Sequence, residues 1–264
     1  MPDLALPDVS LHYEVSGTGP PLLMLAGMLS DSASWEPLLP FLSADFTLIR
    51  PDNRTTGRTT PADAPASPTI WAQDALALLD HLGHSKVHVL GHSLGGNIGW
   101  VLTRMAPTRV ASYTMLASAP LNLRRNVELF RTLIAIRRSD APPDAWLRVF
   151  FPWIFAPHTY EMPGIIDAAL AQALAYPHPQ SVEAMTHQLE AVLSAAPAPF
   201  QTNPDVPTLA LLAEDDLLIP FKAAKDALRG IEQRVISGSG HAVHWEAPEK
   251  VAQHLRDFAL QHDL

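Results

Sequence analysis

The segment that most constrains this chain is 86–107. Lys86-Val87-His88-Val89-Leu90 is a short β-branched run suited to a buried strand, and it passes without a spacer into Gly91-His92-Ser93-Leu94-Gly95-Gly96. Beyond it Leu94, Ile98, Val101, Leu102 and Met105 recur at helical spacing until Pro107 ends the pattern. A chain that passes from strand to helix so abruptly needs a turn uncrowded by side chains, and Gly91 and Gly95 provide it. The residue at the apex, Ser93, is then held in a strained backbone conformation, its hydroxyl exposed at the positive end of the helix that follows. Gly-x-Ser-x-Gly alone is common; its place between a strand and a helix makes Ser93 a candidate nucleophile.

The same alternation of short apolar runs and helical patterns surrounds this segment. Residues 11–16, 22–26, 46–50 and 110–116 are expected strands, and 35–42 an expected helix. Trp71, Ala75, Leu78, Leu79 and Leu82 form one apolar helical stripe that Gly83 terminates. From about 120 to 204 the character changes: arginines, prolines and aromatics fall in helical patterns and no strand is evident. Strand and helix patterns then return at 208–213, 221–228, 232–236 and 248–260. The expected architecture is α/β: a mostly parallel central sheet covered by helices, with 1–120 and 205–264 forming the core and 121–204 a helical cap inserted into it.

Composition narrows the chemistry. With a net charge of −9 and 17% charged residues, the chain lacks the basic surface that a nucleic-acid partner requires. It has no apolar run of the ~18 residues needed to span a bilayer, and Met1-Pro2-Asp3-Leu4-Ala5 lacks the basic region of a secretory signal, so a cytoplasmic protein acting on a small molecule is expected. The absence of cysteine excludes disulfides, thiolate catalysis and Cys-ligated metal. His81, His84 and His88 are close in sequence but divided between a helix end and the next strand, so no metal and no organic cofactor is expected.

A serine hydroxyl is a weak nucleophile at neutral pH and needs a base within hydrogen-bond reach and an acid to orient that base. His241 follows the 232–236 strand through Ser237-Gly238-Ser239-Gly240, a loop able to carry an imidazole to the sheet edge. His244, three residues on toward the last helix, reads as a packing neighbour. No carboxylate follows the 110–116 strand, whereas Glu214, Asp215 and Asp216 all follow 208–213, and the residues alone leave the choice among them open.

With these features the whole chain resembles the α/β-hydrolase superfamily, in which nucleophile, acid and histidine follow one another in this order. The resemblance implies Ser93, Asp216 and His241 as the catalytic residues. Ala213-Glu214-Asp215-Asp216-Leu217-Leu218-Ile219-Pro220 is similar to the family's Gly-x-x-Asp-x-x-x-Pro segment and favours Asp216 over Asp215, and Gly240-His241 resembles its Gly-His segment. The backbone N–H groups of Met28 and Leu94 correspond to the oxyanion-hole donors, although Ala26-Gly27-Met28 stands where relatives often have His-Gly. Thr55 replaces the first glycine of a turn similar to Asp-x-Arg-Gly-x-Gly-x-Ser. Gly-His-Ser-Leu-Gly-Gly is widespread among esterases and enol-lactonases, which implies cleavage of an ester or lactone of a small, largely apolar substrate through an acyl-enzyme. Carbon–carbon bond hydrolysis, perhydrolysis and a low-turnover ligand-binding protein are the alternatives. In the cap, Trp146, Phe150, Phe151, Trp153 and Phe155 are candidates either for a pocket wall or for the cap's own core. Arg124, Arg131 and Arg138 recur every seven residues and are read as a solvated helix face rather than a site for an anion.

Overall fold

The sheet takes its shape from runs that are apolar on both faces. In β3 (Pro21–Leu25), Leu23 and Leu25 point into one buried cluster while Leu22 and Met24 point into another, the period-two alternation of a strand covered on both sides. The computed structural model describes residues 3–195 and 198–262. Its eight strands, in order of sequence, are β1 (Asp3–Ala5), β2 (Ser10–Gly17), β3, β4 (Thr47–Pro51), β5 (Val87–His92), β6 (Val110–Leu116), β7 (Thr208–Ala213) and β8 (Glu232–Ile236). They form one sheet ordered β1-β2-β4-β3-β5-β6-β7-β8, parallel from β4 to β8, with β1 and β2 antiparallel at one edge.

Eleven α-helices are described: α1 (Leu39–Leu42), α2 (Pro68–His81), α3 (Leu94–Met105), α4 (Arg124–Arg137), α5 (Ala145–Ile154), α6 (Pro157–Glu161), α7 (Ile165–Ala175), α8 (Val182–Leu193), α9 (Phe221–Ala227), α10 (Val243–Glu246) and α11 (Pro248–Ala259). Trp71, Leu78 and Leu79 of α2 and Ile98 and Leu102 of α3 cover one face of the sheet, whereas Leu42 of α1 and Val251, Leu255 and Phe258 of α11 cover the other. The helix expected at 35–42 is a 3-10 helix, Ser32–Leu38, followed by the four residues of α1. Pro37 and Pro40 lack the N–H groups an uninterrupted α-helix would need there. The three-residue β1 and four-residue α10 were too short for a periodic signal. No helix among the described residues is long and apolar enough to cross a membrane.

Helices α4 to α8 all lie between β6 and β7 in sequence, and α4, α5, α7 and α8 share a separate apolar cluster built around Phe130, Leu133, Leu147, Phe150, Phe151 and Met185. Met28 and Leu29, from the loop after β3, pack against this cluster, which therefore sits over the carboxyl ends of the strands.

Candidate active site

The strand order itself creates a crevice. After β3 the chain moves outward to β4, then crosses back to β5 on the other side of β3. Loops leaving neighbouring strands in opposite directions open a cleft at their carboxyl ends, where open α/β sheets bind ligands. Gly27-Met28 leaves β3 at this point and Ser93 leaves β5. Asp216 follows β7 and His241 follows β8 at the same edge.

Ser93 occupies the expected turn, with φ 52° and ψ −118°, and is only partly buried. A Cβ on Gly91 would strike the backbone of Gly95, and one on Gly95 the carbonyl oxygens of Leu25 and Ala26, so the turn fits against β3 only if both positions carry hydrogen. The Ser93 N–H donates to the Leu116 carbonyl at 3.0 Å and the Ser118 hydroxyl donates to the Ser93 carbonyl at 2.7 Å, fixing the strained residue from β6.

The loops after β7 and β8 bring Asp216 and His241 together. His241 Nδ1 lies 2.8 Å from Asp216 Oδ2, and both residues are 4% exposed. The other oxygen, Oδ1, accepts the Ile219 N–H at 2.8 Å, so both carboxylate oxygens are engaged. With Nδ1–H donated to Asp216, Nε2 of His241 is left as the proton acceptor. Asp215 is only partly buried and contributes its N–H to the Ser239 carbonyl at 2.9 Å, and Glu214 is exposed, its carboxylate accepting the Gly238 N–H at 3.2 Å. These two acids shape the histidine loop.

The His92 ring packs on that of His241, with centroids 4.8 Å apart, and on that of His244 at 4.4 Å. His92 Nε2 donates to the His241 carbonyl at 2.9 Å. Burial and the neighbouring histidines hold His92 neutral, well below the ordinary histidine range, and burial followed by the His241 charge pushes His244 down to about 3. His244 packs on Trp35 and His92 and makes no hydrogen bond to Asp216.

The turn after β3 is held from several directions. Leu29 takes φ 63°, and its N–H donates to Gln188 Oε1 of α8 at 3.2 Å. Asn53 Nδ2 donates to the Ala26 carbonyl at 3.2 Å. Among the described residues the Met28 N–H has no acceptor, and the Leu94 N–H, at the first position of α3, has no intrahelical one. Thr55, in the neighbouring turn, takes the left-handed backbone that glycine favours, with φ 79°, and its hydroxyl is buried without a partner among the described residues.

Ser93, His241, Met28, His92 and His244 line one cavity of about 310 Å³. Its wall includes Trp146, Phe150, Phe151 and Phe155, which also form or border the core of the helical layer, so these aromatics do both. Trp153 is not on this wall; its ring lies beneath the Arg125 guanidinium at 5.5 Å. Arg124, Arg131 and Arg138 are exposed and off the wall, and the arginine that does line it is Arg137. Among the described residues no group of three or more His, Asp or Glu side chains is placed to hold a metal, and His88 instead meets Ser112 Oγ at 2.9 Å.

Glu246 and Gln188 escaped sequence reasoning. Glu246 accepts the Gly240 N–H at 2.6 Å and, from the start of α6, the Ala156 N–H at 2.8 Å and the Thr159 hydroxyl, while the Ala242 N–H donates to the Ile154 carbonyl at 2.8 Å. The helical layer thus grips the His241 loop on both sides. Glu246 stands five residues past His241 within the segment that resembles the family, a signal that was available; Gln188 belongs to no motif.

The model of the alpha/beta hydrolase family matches residues 22–254. A protein of Azorhizobium caulinodans named "Putative carbamate hydrolase RutD" is 31% identical over 241 residues, which cover 90% of this chain and 89% of that protein. A thermophilic esterase from Thermogutta terrifontis, solved with malate bound, superposes with a TM-score of 0.79 at 26% identity, covering 98% of this chain and 96% of the other. An enol-lactonase from Burkholderia xenovorans LB400 shares the fold, with a TM-score of 0.84 at 20% identity over 98% of this chain and all (100%) of the other.

Proposed function

Because this chain belongs to the alpha/beta hydrolase family, we propose that it hydrolyses a carboxylic ester or lactone of a small molecule through an acyl-enzyme on Ser93. The observation that carries this reading is the convergence on one cavity of a serine at φ 52° and a histidine whose other ring nitrogen is paired with a buried carboxylate. His241 takes the Ser93 proton as Ser93 attacks the carbonyl carbon, Asp216 fixes the imidazole tautomer and steadies its positive charge, and the N–H groups of Met28 and Leu94 receive the developing oxyanion. Each such donor is worth about 3 kcal/mol in the transition state. The imidazolium then protonates the leaving group, and a water deprotonated by His241 releases the acyl group. Helices α4 to α8 act as the cap that closes this site and sets its substrate, with Trp146 and Phe150 packing the apolar part of the ligand.

The test is fluorophosphonate labelling together with turnover of p-nitrophenyl esters of increasing acyl length, wild type against Ser93→Ala. Labelling and turnover that both vanish in the variant are expected. Folded wild-type protein that does neither refutes the reading. Carbamate hydrolysis is a second reading, favoured by the 31% identical relative, and p-nitrophenyl carbamates in the same assay distinguish it.

A further inference from the structure

Arg137, in the last turn of α4, reaches the wall of the same cavity as Ser93 and His241. Its guanidinium is fixed in place: Nη2 donates to the Gln180 carbonyl at 2.6 Å, Nη1 meets Met185 Sδ at 3.5 Å, and the plane lies 4.9 Å from the centre of the Trp146 ring. Two of its five N–H donors are thereby engaged, and the other three have no protein acceptor among the described residues. No carboxylate among those residues pairs with it, in contrast to Arg54, held by Asp74 and Asp8, or Arg58, held by Glu14 and Asp52. Burial works against its charge, which Glu183 supports only from a distance. Two carboxylates also line the cavity: that of Glu36, which is exposed, and that of Asp31, one oxygen of which accepts the Tyr176 hydroxyl at 2.6 Å and the other the Ala33 N–H at 3.0 Å.

A half-buried cation with no counter-ion among the described residues, oriented by three contacts and lining a ligand cavity, is suited to bind an anion. In a chain of net charge −9 its placement cannot be ascribed to a general excess of basic residues. We infer that Arg137 recognises a carboxylate on the substrate, so that the ester or lactone hydrolysed here is an anionic one. This rests on the serine-hydrolase reading for the bond cleaved, but not for the binding. Guanidinium suits the task because its planar fork presents paired donors to both oxygens of a carboxylate, which an ammonium does not.

The experiment compares p-nitrophenyl butyrate with p-nitrophenyl hydrogen glutarate, which ends in a carboxylate. Wild type is expected to show kcat/KM at least tenfold higher for the acidic ester. Arg137→Gln should bring the ratio of the two to near one, and Arg137→Lys should restore part of it. A wild-type ratio near one, or a preference that survives Arg137→Gln, overturns the inference. Calorimetric titration with glutarate, run on wild type, Ser93→Ala and both Arg137 variants, keeps the two proposals apart. Glutarate binding that weakens at least tenfold in Arg137→Gln supports the anion site even if no ester is turned over. Equal binding to wild type and Arg137→Gln refutes it even if Ser93 is confirmed as the nucleophile.

Discussion

Replacing Asp216 by asparagine probes the orienting acid with almost no change of shape, and the structure fixes how the new amide must lie. One carboxylate oxygen accepts the Ile219 N–H and the other faces His241 Nδ1, each at 2.8 Å. An amide has only one acceptor, and the Ile219 N–H, a backbone donor, can use nothing else. The amide oxygen therefore turns to Ile219 and the NH2 group to His241, which forces Nδ1 to become the acceptor and puts the ring proton on Nε2, where it cannot take the serine proton. The opposite rotamer preserves the working tautomer but sets two donors against each other at Ile219, and one unsatisfied buried group costs about 1–3 kcal/mol. That penalty alone holds the working form to a minority, a loss of about 5- to 150-fold at 1.4 kcal/mol per decade. Loss of the negative charge that steadies the imidazolium adds to it, and a total near 10⁴ in kcat is expected by analogy with the same substitution in a serine protease triad. The assay is kcat/KM for a p-nitrophenyl ester, with Asp215→Asn as the control that keeps the backbone bond from Asp215 to Ser239. Asp216→Asn that retains more than a tenth of wild-type activity, or equal losses in the two variants, would show that the orienting acid has been misidentified.

Thr55→Gly relieves a β-branched residue at φ 79° and removes a buried hydroxyl that has no partner among the described residues. Against strain of about 1–3 kcal/mol stands the added chain entropy of glycine, about 0.5–1 kcal/mol, so a net gain of about 1 kcal/mol and a Tm higher by about 2–4 °C are expected; an unchanged or lower Tm by calorimetry would contradict the strain. Acid should weaken the fold through its buried neutral histidines: burial, then the His262 and Lys86 charges, push His88 to about 4, and His244 lies at about 3. Because the unfolded chain takes up these protons first, near pH 6.5, their contribution is complete above that value and is lost as pH falls toward 4 and 3. Urea unfolding should therefore show a loss of about 2 kcal/mol per histidine between pH 7 and 5, and His88→Asn should shrink the loss by about that amount; equal stability at the two pH values would refute it.

Much of this candidate site was legible because its turns rest on local backbone geometry. Gly91 faces Gly95 within one turn, so the pentapeptide between a strand and a helix points to Ser93 from a local window, whereas the need for hydrogen at Gly95 comes from the distant Leu25 and Ala26 carbonyls. The strands were legible for a similar reason, since continuous apolar runs such as 22–26 admit little else in a chain of this composition. The acid was less so. Glu214, Asp215 and Asp216 are equivalent as a string, and the resemblance to a family was needed to prefer one. What separates them is the curve of the loop after β7, which buries Asp216 against His241 and leaves Glu214 exposed.

The sequence by itself determined the fold class, through the alternation of strand and helix patterns along the chain, and the strand–turn–helix at Ser93, encoded within a few consecutive residues. Tertiary structure decided the acid's burial, the grip of Gln188 and Glu246 on the Met28 and His241 loops, and the choice of Arg137 rather than Arg124, Arg131 or Arg138 as the arginine of the cavity. Helical periodicity shows which residues share a face but not what that face meets. In α4 the answer depends on where α5, α8 and the residue 176–180 loop come to rest, and those partners lie up to 48 residues away in sequence. Long-range packing, absent from any local window, turned one arginine inward and left the others in water.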